Sequence, residues 1–249
     1  MLHPVAEPRA SRKHGRLAVN VAVGSRALSL DGHDDLNQGQ LSARLPGSSS
    51  FVIKSAVCGF VEATPEDCVV AQVDASAPVD RMAPPELPLH QAIYEARPDV
   101  NAIVHSHAPY TLVFGATGLS LLPVSHDGAC FAGRLNRFEL TSNTVLNIAT
   151  GRAVAAELAT AQAILMQNHG SVVVGKSLRE AVVLAQVLER ACRLQLLAEA
   201  AGVPYRTSSA KDVAAKQAYI YSDSAIKSYW EFCVRQVRRT WPETAQWRS

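Results

Sequence analysis

The sequence predicts an α/β fold in which one domain is built from three layers, α/β/α, around a central sheet of mixed direction. Three observations favour this class. Short apolar runs typical of strands occur early and in the middle of the chain, and helical patterns lie between and after them. Neither an internal repeat nor a long linker divides the 249 residues. Finally, 48% of the residues are hydrophobic, which suits a single domain with a substantial core.

The first half of the chain contains two predicted helices and three predicted strands. The helices cover residues 16–30 and 87–95, and the strands cover residues 41–47, 51–55 and 69–73. The first helix is expected to end at Asp31-Gly32, because glycine commonly follows the last helical turn. A turn-forming segment, Thr64-Pro65-Glu66-Asp67, precedes the third strand.

In the second half, two strand patterns end in histidines. Residues 102–104 form a short apolar run that leads into His105-Ser106-His107, with a helix or turn over residues 110–116 after it. Residues 164–166 and 171–174 form two apolar strands around Asn168-His169-Gly170, which is typical of a hairpin turn. A long amphipathic helix is predicted over residues 177–200.

The two ends of the chain are predicted to lie outside the main core. Residues 1–15 are polar and basic, and we interpret them as a flexible tail. The catalytic domain then covers residues 16–249, including a helical extension at its C-terminal end. No apolar run is long enough to span a bilayer, and no hydrophobic segment follows the basic N-terminus as a signal peptide would require. The expected location is therefore the cytoplasm, without a membrane partner.

Charge and cysteine content exclude several other classes of protein. A net charge of +2 is too small to favour nucleic-acid binding, since the basic residues cluster only at the two ends of the chain. The five cysteines are scattered and form no CxxC pair. That pattern supports neither a zinc ribbon nor a disulfide framework. We expect reduced, mostly buried thiols and a small-molecule substrate.

The three histidines could hold a metal ion. His105 and His107 are two residues apart, and alternate side chains of a strand point to the same face. His169 lies in a turn at the end of another strand, where a bend could aim it at the same point. Three imidazoles with open positions are typical of a catalytic rather than a structural zinc site. Packing of the same histidines in the core is an equally good interpretation of the spacing alone.

Two longer segments resemble the class II aldolase/adducin family. They are PELPLHQAIYEARPDVNAIVHSHAPY, residues 85–110, and QNHGSVVVGKSLREAVVLAQVLERACRLQLLA, residues 167–198. The likeness extends over roughly residues 16–200. The HxH motif, the helix upstream of it and the later Asn-His-Gly turn make the signal specific. The resemblance implies a three-layer fold with a mixed, mainly antiparallel sheet.

The resemblance also implies a metal site and an assembly. By the family's pattern, His105, His107 and His169 are the ligands of a divalent ion, and Glu86 is the catalytic acid or base. Zinc is the expected ion, with Fe2+, Mn2+ and Co2+ as alternatives. Related enzymes form homotetramers with active sites at subunit boundaries, and the late helix and the C-terminal Tyr and Trp residues offer apolar surface. Tyr219 or Tyr221 is a candidate to enter a neighbouring site.

The family's phosphate-binding elements are altered in this chain. Sugar-phosphate enzymes that resemble it use a Gly-Asn-x-Ser turn, a Ser-Gly pair and a Ser-Ser dipeptide before the catalytic Glu. Here these elements are Gly39-Gln40-Leu41-Ser42, Ser55-Ala56 and Pro84-Pro85. Only Ser42 and Ser55 remain as substrate-binding hydroxyls, because the prolines lack both hydroxyls and N–H groups. The substrate is therefore predicted to lack a phosphate.

Three further residues are candidates on weaker grounds. Tyr110 lies three residues after His107, so it could reach the pocket. His126 is followed by Asp127, and such a pair could shuttle a proton. Arg134 could bind a substrate carboxylate through two parallel hydrogen bonds. Each of the three is also compatible with an ordinary surface position.

The predicted reaction is C–C bond cleavage by a metal-dependent lyase. A divalent ion would stabilise the enolate that forms during either decarboxylation or retro-aldol cleavage. A non-phosphorylated hydroxy or keto acid, or a hydroxylated aromatic carboxylate, would suit the site. Two alternatives stay open: a non-heme iron oxygenase of an aromatic acid on the same fold, and an inactive adducin-like binding module. Adducin-like members have lost the histidines, and this chain retains all three.

Overall fold

The computed structural model describes residues 12–247, which form a seven-stranded sheet between two layers of helices. Residues 1–11 of the predicted tail lie outside the described residues, and residues 12–15 belong to the first helix. The helices are α1 (Arg12–Ser29), α2 (Leu87–Ala96), α3 (Pro109–Ala116), α4 (His126–Phe131), α5 (Ile148–Leu158), α6 (Leu178–Ala200), α7 (Ala210–Tyr219) and α8 (Asp223–Thr240). The strands are β1 (Gln40–Ala43), β2 (Ser50–Lys54), β3 (Cys68–Gln72), β4 (Ala102–Ser106), β5 (Leu135–Phe138), β6 (Ala163–Met166) and β7 (Gly170–Gly175).

The sheet has the order β3-β2-β1-β4-β7-β6-β5. Every neighbouring pair is antiparallel except β5 and β6. Those two strands are parallel because α5 lies between them in the chain and carries it back to the same end of the sheet. The predicted mixed, mainly antiparallel sheet is confirmed.

Alternation along the strands divides the core between the two faces of the sheet. On β4, Val104 packs in a cluster with α1, α3, α4 and α6. Its neighbour Ile103 packs instead with α2 and α5, in a cluster that includes Leu89 and Val154. Residues two apart on a strand share a face, so His105 faces the α2 side together with Ile103. Because it lies on this face, His105 is beside α2, the helix that begins after Glu86.

The outer elements contain most of the differences from the prediction. The strand β5 and the helices α4 and α5 were not predicted, because their hydrophobic periodicity is weak. The predicted helical extension corresponds to α7 and α8, of which α8 packs against α1 and α6. No described helix is both long enough and apolar enough to cross a membrane. All five cysteines are free thiols, and none is fully exposed.

The aromatic residues near the C-terminus differ in exposure. The guanidinium of Arg26 lies 5.1 Å from the ring centroid of Trp241 and 5.1 Å from that of Trp247. Both indoles therefore pack against the same chain, at a distance suited to a cation–π contact. Both Trp residues remain partly exposed, so the prediction that C-terminal aromatic residues offer apolar surface to a partner subunit stays a prediction. Tyr219 is 82% exposed and Phe232 is 53% exposed, so these two side chains do offer apolar surface.

Candidate metal centre

The metal-site histidines meet at one end of the sheet. His105 lies near the end of β4, His107 follows it, and His169 lies in the turn between β6 and β7. Since β4 and β7 are antiparallel neighbours, the end of one lies beside the start of the other. The ring centroids of the three imidazoles are 5.0–5.4 Å apart. The chain folds so that the two motifs converge.

The turn that carries His169 depends on its neighbours for its shape. Asn168 has a φ of 56°, a left-handed conformation that asparagine tolerates better than most residues. Gly170 packs so closely that a Cβ there would lie 2.6 Å from the carbonyl oxygen of Ser106 and 2.8 Å from the His107 ring. A larger residue at Gly170 would push the two strand ends apart. This close approach is what sets His169 beside the HxH motif.

Glu86 joins the three histidines from the start of α2. Its Oε2 lies 3.0 Å from His105 Nε2, and its Oε1 lies 3.3 Å from His169 Nε2. The backbone N–H of Val145 donates to Oε1 at 3.0 Å, and the side-chain amide of Gln40 lies 3.5 Å from Oε2. The carboxylate does not cap α2, although Glu86 is at the N-cap position. Its contacts are with the site rather than with the helix.

Two acceptors behind the imidazoles determine which nitrogens face the site. The carbonyl oxygen of Ser171 lies 3.0 Å from His105 Nδ1, and Asp35 Oδ2 lies 2.8 Å from His107 Nδ1. A carbonyl and a carboxylate only accept, so both Nδ1 atoms must donate. The Nε2 atoms of His105 and His107 are then buried and have no hydrogen-bond donor. Such a carboxylate–histidine pairing is typical of metal ligands.

The donor set fits a divalent cation. Glu86, His105, His107 and His169 each offer one ligand atom, and these atoms lie within 4.8 Å of one another. Lone pairs and a carboxylate that point at each other in a buried space repel unless a cation or proton lies between them. Imidazole and carboxylate ligands suit zinc, iron, manganese and cobalt. These four residues could hold such an ion.

The surroundings of the cluster favour the protonation states in which Glu86 and His107 can bind a metal ion. Burial disfavours a charge on Glu86, but the facing imidazoles of His105 and His169 and the hydrogen bond from the Val145 N–H lower its pKa overall. Burial also opposes protonation of His105, but the Glu86 carboxylate outweighs it and raises that pKa. For His107, burial and the neighbouring His105 lower the pKa. Glu86 is thus ionised and His107 neutral near neutral pH.

The two predicted substrate hydroxyls lie inside the protein. Ser42 is fully buried on β1, and its Oγ lies 2.8 Å from His90 Nδ1 and 2.9 Å from the Tyr94 hydroxyl. Ser55 is also buried, and its hydroxyl lies 3.7 Å from Cys58 Sγ. Neither hydroxyl is available to a substrate in this arrangement. The structure therefore does not bring Ser42 and Ser55 into the site as binding groups.

The three weaker candidates contact residues other than the three histidines. The Tyr110 ring lies 5.4 Å from the Arg193 guanidinium on α6, on the other face of the sheet. His126 is at the start of α4 and lines a separate cavity beside α8. Arg134 contacts the amide oxygens of Gln162 and Gln217, at the end of the sheet away from the metal site. Within one chain, only Glu86 of the predicted catalytic residues touches the cluster.

Asp35 was missed because nothing in its local sequence marks it. It lies in the loop after α1, far along the chain from His107, beside a second aspartate with a different partner. That neighbour, Asp34, accepts a hydrogen bond from the Ser29 hydroxyl at 2.6 Å. The two carboxylates can be distinguished only by which side chain each one contacts in the folded protein.

Replacing Asp35 with Asn is expected to weaken metal binding by about 10–100-fold, because His107 would lose the carboxylate that orients its ring and raises its basicity. Metal titration of the purified protein would measure the change. Asp34→Asn is the matched control, and its affinity should stay within about 2-fold of the parent. Equal affinity in the Asp35 and Asp34 variants would show that Asp35 does not position the ligand.

Comparison with known proteins identifies a family profile that matches most of the chain. Residues 19–196 match the profile of the Class II Aldolase and Adducin N-terminal domain. The Decarboxylase NovR of Streptomyces niveus is 35% identical over 148 residues, 58% of this chain and 55% of that protein. A 4-hydroxy-3-prenylphenylpyruvate oxygenase/4-hydroxy-3-prenylbenzoate synthase of Streptomyces roseochromogenus subsp. oscitans is 36% identical over 146 residues, 57% of this chain and 53% of that protein. The chain thus spans about half the length of these relatives.

A solved structure shows the same fold over almost the whole chain. An aldolase II superfamily protein from Pseudomonas syringae superimposes with a TM-score of 0.82 at 24% sequence identity. The match covers 94% of this chain and 96% of that protein. At this identity the likeness concerns the fold alone.

Proposed function

Because this chain belongs to the class II aldolase and adducin family, we propose that it is a metal-dependent lyase that cleaves a C–C bond, by decarboxylation or by retro-aldol cleavage. The observation that carries the proposal is the Glu86 carboxylate, buried against His105 and His169 on the face where the ligand nitrogens converge. If Glu86 only stabilised the start of α2, its carboxylate would not need to lie against these histidines. A residue that transfers a proton beside a metal ion does need that position.

Each residue of the cluster has a distinct part in this proposal. His105, His107 and His169 would hold the ion, with zinc as the expected one. When bound, a divalent ion supplies Lewis-acid stabilisation of the negative charge that develops on a substrate oxygen. Glu86, which is ionised before the reaction, would take up the proton of a substrate hydroxyl as the C–C bond breaks and return it to the substrate carbon. The Val145 N–H keeps Oε1 in place at 3.0 Å.

We further propose that the substrate is a hydroxy or keto acid, or a hydroxylated aromatic carboxylate, without a phosphate. The family's hydroxyl-rich dipeptide is replaced by Pro84-Pro85, and Ser42 and Ser55 are buried. No hydroxyl from these three elements is therefore free to bind a phosphate. The name of the relative from Streptomyces niveus, a decarboxylase, agrees with a substrate that carries a carboxylate.

An oxygenase that uses iron is the second candidate. The relative from Streptomyces roseochromogenus is described as an oxygenase and benzoate synthase. Three imidazoles beside a carboxylate could hold Fe2+ as well as Zn2+. Oxygen consumption during turnover would favour this candidate, whereas turnover at the same rate without oxygen would favour the lyase.

A screen of acids on the metal-loaded protein is expected to find turnover of a carboxylate substrate, with release of CO2 or an aldehyde. Fuculose and ribulose phosphates should be poor substrates, since no phosphate cradle remains, and inorganic phosphate should inhibit weakly. Efficient cleavage of any sugar phosphate would overturn the substrate argument. A purified protein with neither stoichiometric metal nor turnover would be an inactive adducin-like module instead.

Light scattering is expected to report a homotetramer. Leu36 is 83% exposed beside Asp35, and Leu140 is 76% exposed in the loop after β5, both at the end of the sheet that carries the metal site. Apolar side chains exposed around a site suit coverage by a second subunit. The exposed Tyr219 could then contact a neighbour. A monomer at working concentration would contradict this assembly.

A further inference from the structure

A basic groove of about 700 Å3 lies at the end of the sheet opposite the metal centre. It is bounded by the segment that joins β7 to α6 and by the outer side of α8. Asn101, just before β4, and Lys176, just after β7, line it, whereas His107 and His169 are at the other ends of these strands. Five residues of strand separate the two places by roughly 16 Å.

The lining of the basic groove has a strong excess of positive charge. Six of its side chains are basic and one, Glu231, is acidic: the basic ones are Arg44, Lys176, Arg179, Lys227, Arg235 and Arg238. Glu231 lies 3.8 Å from Lys227, so its charge is already matched. The whole chain has a net charge of only +2. The positive charge is therefore concentrated here far beyond the average of the protein.

Three of these cations form no ion pair with a carboxylate among the described residues: Arg179, Arg235 and Arg238. Hydrogen bonds from Arg97 and, less strongly, the charge of Lys176 lower the pKa of the Asp99 carboxyl. Arg44 differs because it is buried and donates to the backbone carbonyls of Tyr94, Arg97 and Val100. Those contacts orient the Arg44 guanidinium but do not neutralise it. Its charge adds to the positive potential of the groove from within.

The start of α6 and the apolar side chains of α8 form the remaining walls of the basic groove. The first turn of the 23-residue helix α6, at Ser177 and Leu178, lines the groove. Ser177 caps this helix end by accepting from the Glu180 N–H, and the Glu180 carboxylate accepts from the Lys176 N–H at 2.6 Å, so the arginines rather than the helix end supply the positive charge. On the other side, Trp230 and Val234 of α8 are half-buried and provide an apolar wall. The groove therefore combines anion binding with a flat aromatic contact.

We propose that the basic groove binds a small polyanion with a chain of phosphates and an apolar or aromatic part. Guanidinium groups match the geometry of phosphate oxygens through paired hydrogen bonds, which favours phosphates here. The apolar part of the ligand covers Trp230. This site is separate from the metal centre and does not depend on the proposed reaction.

Binding of ADP to the full-length, metal-loaded protein tests the proposal, with calorimetry at low salt and tryptophan fluorescence as readouts. Arg179→Ala combined with Arg235→Ala should weaken ADP binding by at least about 10-fold, since each lost charge-assisted contact removes a substantial part of the affinity. Trp230→Phe should remove the fluorescence change. Lys211→Ala, an exposed cation on α7 outside the groove, is the matched control and should change the affinity less than about 2-fold.

Three results would overturn the assignment. One is the absence of ADP binding by the parent protein at low salt. Another is equal ADP affinity in the parent and the double arginine variant, which would place the ligand elsewhere. The third is binding of an oligonucleotide without binding of ADP, because the surface would then belong to a macromolecular partner. The lyase assays are independent of all three.

Discussion

His169→Ala is expected to lose its metal and all measurable turnover while keeping its fold. His169 is one of three imidazoles around the site, and its ring centroid lies 5.0 Å from that of His105 and 5.4 Å from that of His107. Without His169 only two imidazoles would hold the ion, one fewer than the three protein ligands usual for a catalytic zinc, because Glu86 is proposed to transfer a proton rather than to bind the metal. Metal content should fall from about one ion per chain to a small fraction. His105→Ala and His107→Ala should behave in the same way.

Elemental analysis of the purified variants measures this outcome, and circular dichroism reports whether the fold survives. His126→Ala is the control for metal content, because that histidine lines a different cavity. It should retain the ion. A full complement of metal in the His169→Ala protein would refute the ligand assignment, whatever its activity.

Glu86→Gln is expected to lower kcat by roughly 10²–10⁴-fold, which is the usual range for loss of a general acid or base. The amide has nearly the same shape, so the contacts with the Val145 N–H and the neighbouring imidazoles can be largely retained. The change removes the proton-transfer group and leaves three imidazoles to hold the ion. Metal content should therefore stay largely unchanged while turnover falls.

Glu95→Gln is the matched control for this substitution. Glu95 is on the same helix, α2, but is exposed and pairs with Arg152 at 2.9 Å. An exposed ion pair contributes little to stability, and this one is far from the site. Its variant should keep a near-normal kcat. A near-normal kcat in Glu86→Gln as well would reduce Glu86 to a structural residue.

Local patterns in the sequence were sufficient for the framework and for selecting the three histidines, whereas their role as metal ligands was implied by the family resemblance and stays a prediction. His105 and His107 are separated by one residue on an apolar strand, and that spacing alone places both rings on one face. The turn at His169 is marked by its asparagine and glycine neighbours. The three-layer class follows in the same way from the order of strand and helix patterns, because periodicity is a property of a few consecutive residues.

Only the tertiary structure decided which polar residues surround those histidines. Ser42 looks like a substrate hydroxyl in the sequence, yet it is on the face of β1 that packs on α2, where His90 and Tyr94 bind it. Asp35 has no local signal at all, yet it orients His107. These contacts join segments distant in the chain, so they depend on how strands and helices pack. The periodicity of the sequence indicates on which side of a strand or helix a residue lies. The packing of these elements determines which residues it contacts there.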